Sequence, residues 1–144
     1  MKIVSFLPSG TEMICALGLE DQLVGVSHEC DFPPSVSKKS VVVSAVLPIE
    51  TMTPAEIDRA VSERIGTGQS LYQIDERLLQ TLEPDLIVTQ DLCQVCAPSG
   101  NEATQALKAL KKTPKVLYLT PKNVSEILDN IRTVGNATGK SEFE

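Results

Sequence analysis

The chain has 144 residues, of which 42% are hydrophobic, 22% charged and 3% aromatic, and its formal net charge is −6. That length suits a single domain with enough interior to fold without cross-links, so the four cysteines are not read as two obligatory disulfides. A negative charge without a basic cluster, and the lack of Trp, argue against nucleic acid as a partner.

The N-terminal stretch "MKIVSFLPSGTEM" has no long apolar segment followed by a small-residue cleavage site. No run approaches the roughly 18 apolar residues of a membrane span. As written, the chain reads as cytoplasmic.

Strand-like and helical patterns alternate. "KIVSFL" is β-branched and strand-like. In the helical stretch "SGTEMICALGL", Ser9 is the expected N-cap, Glu12 the capping-box partner and Gly18 the stop. "QLVGVS" and "VVVSAV" follow as strands, the latter apolar enough to be covered on both faces. "TPAEIDRAVSERIG" starts with Thr53 before Pro54, a helix-entry signal, and Ile57, Ala60, Val61 and Ile65 share a face. "SLYQID" reads as a short strand, "ERLLQTLE" as a short helix and "DLIVTQ" as a strand. "NEATQALKALKK" is amphipathic, "KVLYL" a buried strand and "NVSEILDNIRTVG" a closing helix.

Such alternation predicts an α/β fold: a Rossmann-like parallel sheet with helices on both faces and right-handed crossovers. Ligands of these sheets sit beyond the carboxyl ends of the strands. The rule selects four loops: "PSGTE", "HECDFPP", the region near "GQSLY", and "TQDLCQVC".

Several chemistries compete for these loops. His28, Cys30, Cys93 and Cys96 have the ligand types of a Cys3His zinc set, although His28-Glu29-Cys30 is too tight for a zinc knuckle. Cys93-x-x-Cys96 also has redox-pair spacing, without the usual aromatic and proline context. A deaminase signature fails because Glu29 directly follows His28 and Leu92 precedes Cys93. "GNATGKS" is one residue short of a phosphate loop and follows a helix. Cys15 reads as a small core residue. Tyr72 reads equally as a core or a stacking residue. With one histidine and no nucleophile elbow, enzyme catalysis is not supported.

Taken together, "IVSFLPSGTEMICALGLEDQLVGVSHECDFPP" and "SLYQIDERLLQTLEPDLIVTQDLCQVCA" resemble the cobalamin-binding substrate-binding proteins of ABC importers. These belong to the vitamin B12 and iron-siderophore periplasmic binding class, whose two lobes are joined by a helical backbone (class III). The resemblance implies an N-terminal lobe over 1–122, the start of the inter-lobe connecting helix over 123–144, and an absent second lobe. It implies capture of a corrinoid such as cobalamin as transported ligand, with no required cofactor and delivery to an importer permease. It also implies an extracytoplasmic setting, in conflict with the cytoplasmic reading of the N-terminus.

Carried over by position, the ligand loops are Pro8, Ser9, Gly10 and Thr11; His28, Glu29, Cys30 and Asp31; Ser70, Leu71 and Tyr72; and Gln90, Asp91, Leu92, Cys93 and Cys96. The resemblance further implies an acidic permease-docking position near residues 75–77, where this chain has Arg77. The alternatives are an iron-siderophore ligand, a metal-handling module using His28, Cys93 and Cys96 for zinc or iron, and a lone lobe that self-associates through its uncovered face.

Overall fold

The computed structural model describes residues 1–90 and 106–140. Among these residues, six strands form one sheet: β1 (Ile3–Ser5), β2 (Leu23–Ser27), β3 (Ser40–Ala45), β4 (Tyr72–Ile74), β5 (Leu86–Thr89) and β6 (Lys115–Tyr118). The helices are α1 (Pro8–Ala16), α2 (Pro54–Gly66), α3 (Glu76–Leu82) and α4 (Val124–Thr138), and a further helical turn occupies 106–108.

The strand order is β4-β3-β2-β1-β5-β6. All neighbours are parallel except β3 and β4, which pair antiparallel through Val43–Ile74, Ser44–Gln73 and Ala45–Tyr72. The expected parallel sheet thus carries one antiparallel edge strand. "YQI" is too short for its side chains to dictate direction, and the turn before it brings it back along the edge of β3. Progression reverses between β1 and β5: the chain builds outward through β2 and β3, then crosses back to add β5 and β6. That makes the β1/β5 border the switch point where such sheets open a crevice.

Alternating strand residues feed two cores. Ile3, Leu23, Leu86 and Val88 pack with Ile14, Leu17 and Val134, placing α1 and α4 on one face. Val4, Val42 and Ile87 pack with Leu79, Leu71 and Ala106 on the other. Gly10 lets α1 approach closely: a Cβ there would lie 2.9 Å from Val88 Cγ1 and 3.0 Å from Ser5 Oγ.

Local signals explain most helix ends. Thr53 and Glu56 form a reciprocal capping box on α2, Asp75 caps α3 by accepting from Leu78 N–H, and Asn123 caps α4 by accepting from Glu126 N–H. Helix α1 begins two residues earlier than expected. Leu7 is the extended N-cap residue and Pro8 the first helical residue, so Ser9 does not cap and Glu12 has no box to complete.

Two other expectations change. Strand β6 is an edge, with Lys115 and Tyr118 exposed, and is not fully buried. On α2, Ile57, Ala60 and Val61 are half-buried while Ile65 faces solvent. Helix α4 is capped at both ends, stopping at Gly139 in the left-handed region, and buries Val134 completely against the α1 core. Residues after 122 thus pack with those before them, α4 lying on the α1 core.

Candidate functional site at the carboxyl edge of the sheet

Three loops converge along the carboxyl edge in a continuous strip. At the switch point, Ser9 of α1 and Gln90 after β5 line one cavity of about 280 Å³ with Met13, Leu119, Thr120 and Pro121. Ile127 and Asn130 of α4 complete its wall, and Asn130 Nδ2 is buried without a hydrogen-bond partner among the described residues. An unused buried donor is costly, so this wall has capacity for an acceptor.

One strand further on, the first and second loops touch. Thr11 is fully buried, and its hydroxyl lies 3.1 Å from Cys30 Sγ, itself buried in the α1 core. Burial pushes the Cys30 thiol above its ordinary value, despite the opposing hydrogen bond from Thr11. A buried, protonated thiol is a packing group and a poor metal ligand.

His28 lies on the other side of the same loop. Its Nδ1 is 3.1 Å from the Val43 carbonyl, which can only accept, so Nδ1 carries the hydrogen and Nε2 keeps its lone pair. Nε2 stands 3.9 Å from Glu29 Oε1, and the ring centroid is 6.1 Å from that of Tyr72. The second and third loops meet here. Beside His28, a depression of about 430 Å³ is lined by Cys30, Asp31, Pro34 and Ser37.

The third loop turns inward. Leu71 and Tyr72 are only 8% and 7% exposed. The Ser70 hydroxyl donates to the Tyr72 carbonyl and accepts from Tyr72 N–H, and the Ser70 carbonyl accepts from Arg64. Leu71 and Tyr72 therefore support the strip from within and do not present a face. Of the remaining expected residues, Ser9, Glu29 and Asp31 are exposed, Pro8 and Gln90 half-buried, and Gly10 buried against the sheet. Asp91, Leu92, Cys93 and Cys96 lie outside the described residues. Among the described residues, no three His, Cys, Asp or Glu side chains gather as a metal site.

Sequence reasoning did not single out four residues at this edge. Phe32 is 61% exposed in the loop after β2 and offers the free aromatic face expected of Tyr72. Thr120 and Pro121 follow β6, and the carboxyl-edge rule would have named them had it been applied to the last strand as well. Asn130 carries no sequence signal, because only the packing of α4 brings it to the cavity.

Known proteins resemble this chain in sequence and fold. The chain is 28% identical over 130 residues to a vitamin B12-binding protein of Vibrio vulnificus, covering 90% of this chain and 36% of that one. It is 24% identical over 149 residues to an uncharacterized ABC transporter substrate-binding lipoprotein of Bacillus subtilis, covering 99% and 45%. A solved structure of a possible iron-binding, periplasmic solute-binding protein from Staphylococcus epidermidis superposes with a TM-score of 0.65 at 25% identity, over 97% of this chain and 43% of the other. The chain has a class III periplasmic-binding-protein fold. No protein-family model matches the sequence. The chain spans less than half the length of each of these relatives.

Proposed function

We propose that this chain is the N-terminal lobe of an ABC-importer substrate-binding protein and contributes one wall of a cleft for a corrinoid such as cobalamin, acting by capture and not by chemistry. The observation that carries this reading is the strip itself. Loops far apart in sequence meet through Ser9 and Gln90, Thr11 and Cys30, and His28 and Tyr72 at the carboxyl edge. A corrin ring offers a broad apolar face with an amide fringe. Phe32 supplies an aromatic surface, and Ser9, Gln90, Thr120 and Asn130 supply hydrogen-bonding groups for the fringe. The lone pair on His28 Nε2 is the described group best suited to approach the ligand's own metal, since imidazole is a good ligand for first-row transition metals. The thiol of Cys30 is not available in the same way.

One lobe gives part of a binding surface. If a two-lobed site reached nanomolar affinity, half of its free energy would leave roughly −6 kcal/mol, or a dissociation constant in the tens of micromolar. The rest of a two-lobed protein would also find an uncovered apolar stripe on α4, where Val124, Ile127 and Leu128 face solvent.

The test is titration of cobinamide or cobalamin into the purified chain, followed by visible spectroscopy and calorimetry. A saturable isotherm is expected, and His28→Ala should remove the spectral change while leaving heat of binding. A folded protein that gives no response up to about 1 mM ligand, far above the weakest affinity expected of half a site, would overturn the proposal.

A further inference from the structure

Strands β3 and β4 are neighbours in the sheet, yet residues 46–71 separate them in sequence. This stretch leaves and rejoins the sheet at one place. Ala45 stands opposite Tyr72, and Val46 N–H donates to the Leu71 carbonyl at 3.0 Å. Because β3 runs parallel to β2, that place is on the carboxyl edge, next to His28, whose backbone N–H donates to the Val43 carbonyl. The Ser70 hydroxyl bonds both the N–H and the carbonyl of Tyr72 and so fixes the returning root.

Between its roots the excursion is complete in itself. Thr53 and Glu56 cap α2 at one end, the Thr67 hydroxyl donates to the Glu63 carbonyl at the other, and Arg64 donates to the Ser70 carbonyl. Among the described residues, every hydrogen bond of 48–69 ends within 47–70, and no ion pair involves the segment. None of residues 46–70 is buried, and within 48–69 only Val61 packs on the core that holds Leu71 and Tyr72. Gly68, at φ 70° in the left-handed region, makes the turn from α2 back toward β4. Few buried apolar contacts and no polar tie to its neighbours mark an element that separates from the rest at low cost.

We propose that residues 48–69 are a flap that swings as a body on the Val46–Leu71 base while the sheet stays fixed, and that it closes on a ligand held at the carboxyl edge. The swing breaks no hydrogen bond to the rest of the described chain and gives up contacts at half-buried Met52, Ile57, Ala60 and Val61. Its base adjoins Tyr72, whose ring faces His28, so the flap bears on the place where the second and third loops meet. The closing step rests on the cleft reading; the swing itself does not.

The test is nitrogen-15 relaxation dispersion on the intact chain, which reads exchange on the microsecond-to-millisecond scale. Dispersion is expected throughout 49–69 with one shared rate constant, reaching Tyr72 and His28 and absent from β1 and β5. Val61→Ala should raise the minor population about threefold or more across the whole segment. Thr53→Ala, which removes the capping box, should add exchange only in the first turn of α2. No dispersion in 49–69 in either the parent or Val61→Ala overturns the proposal. So does dispersion confined to the ends of α2, or one pattern shared by both variants, since either marks fraying of the helix. Saturating cobinamide should reduce the dispersion amplitude by about half or more. Cobinamide that binds by calorimetry without changing it overturns closure on ligand. A chain that does not bind cobinamide fails the cleft reading, and the ligand-free measurement then decides the flap.

Discussion

Replacing Gly10 with Ala tests whether α1 is held against the sheet by the close contact that also sets the switch-point cavity. The added Cβ would sit 2.9 Å from Val88 Cγ1, 3.0 Å from Ser5 Oγ and 3.4 Å from Leu7 Cδ2. Val88 and Ser5 are both fully buried, and Ser5 Oγ already donates to the Leu7 carbonyl at 2.9 Å, so neither can move away freely. Overpacking of this kind costs about 1–3 kcal/mol, while helix propensity favours Ala over Gly by roughly 0.5–1 kcal/mol. The net expectation is a loss of about 1–2 kcal/mol, or roughly 3–6 °C in melting temperature for a chain of this size. Gly66, at the end of α2, is the control: nothing lies within 4 Å of its Cβ position, and Ala there should be neutral or stabilising by a few tenths of a kcal/mol. Thermal and urea melts of both variants give the answer. If Gly10→Ala melts at or above the parent temperature, the helix is not locked to β1 and β5 as described. The link between α1 placement and the cavity at Ser9 and Gln90 then fails.

Phe32→Ala should change stability by less than about 0.5 kcal/mol yet weaken corrinoid binding about tenfold, whereas Tyr72→Ala should cost about 3–5 kcal/mol of stability. Melts and calorimetry on the same pair separate a ligand-facing ring from a supporting one. Mass-spectrometric mapping of thiol alkylation should find Cys30 reacting more slowly than half-buried Cys15, and Thr11→Ala should speed labelling of Cys30; equal rates in the parent would contradict the buried, bonded thiol. Asp85 is held below the usual carboxylate range by the Lys112 ammonium and then by Lys2 N–H. Its stabilising contribution is therefore present above the unfolded value of about 3.9 and lost as pH falls through the lower folded value. Urea melts should show a constant difference between the parent and Asp85→Asn from pH 5 to 8, shrinking below about pH 4. Removing residues 123–140 should prevent stable folding, because it strips fully buried Val134 and half-buried Ile131 from the α1 core. A cooperative melt from the shortened chain would show that the rest of the fold does not need α4.

The parts of the fold legible in the sequence are those written in local chemistry. Thr53 with Pro54 gave the start of α2, Gly18 the stop after α1, and "DLIVT" an unambiguous central strand, because each signal acts within a turn or two of itself. Strand direction was not legible at "YQI", since three residues look the same in either direction and only the pairing with β3 decides. Exposure of β6 was not legible either. "KVLYL" has the composition of a buried strand, and its edge position follows from where the chain stops adding strands among the described residues.

The candidate site divides along the same line. Topology alone put Ser9, His28 and Gln90 at the carboxyl edge, where the structure has them, because that rule depends on strand order and not on side-chain detail. It could not say which residues of a selected loop face outward. In "HECDFPP" the thiol of Cys30 turns in to Thr11 while Phe32, two residues on, turns out. In "SLY" the aromatic ring turns in beside His28. Position on a loop fixes neighbourhood, and burial decides role. The aromatic surface moves from Tyr72 to Phe32, and the sulfur at Cys30 moves from possible ligand to core. His28 keeps its place at the edge, with Nδ1 3.1 Å from the Val43 carbonyl and Nε2 3.9 Å from Glu29 Oε1.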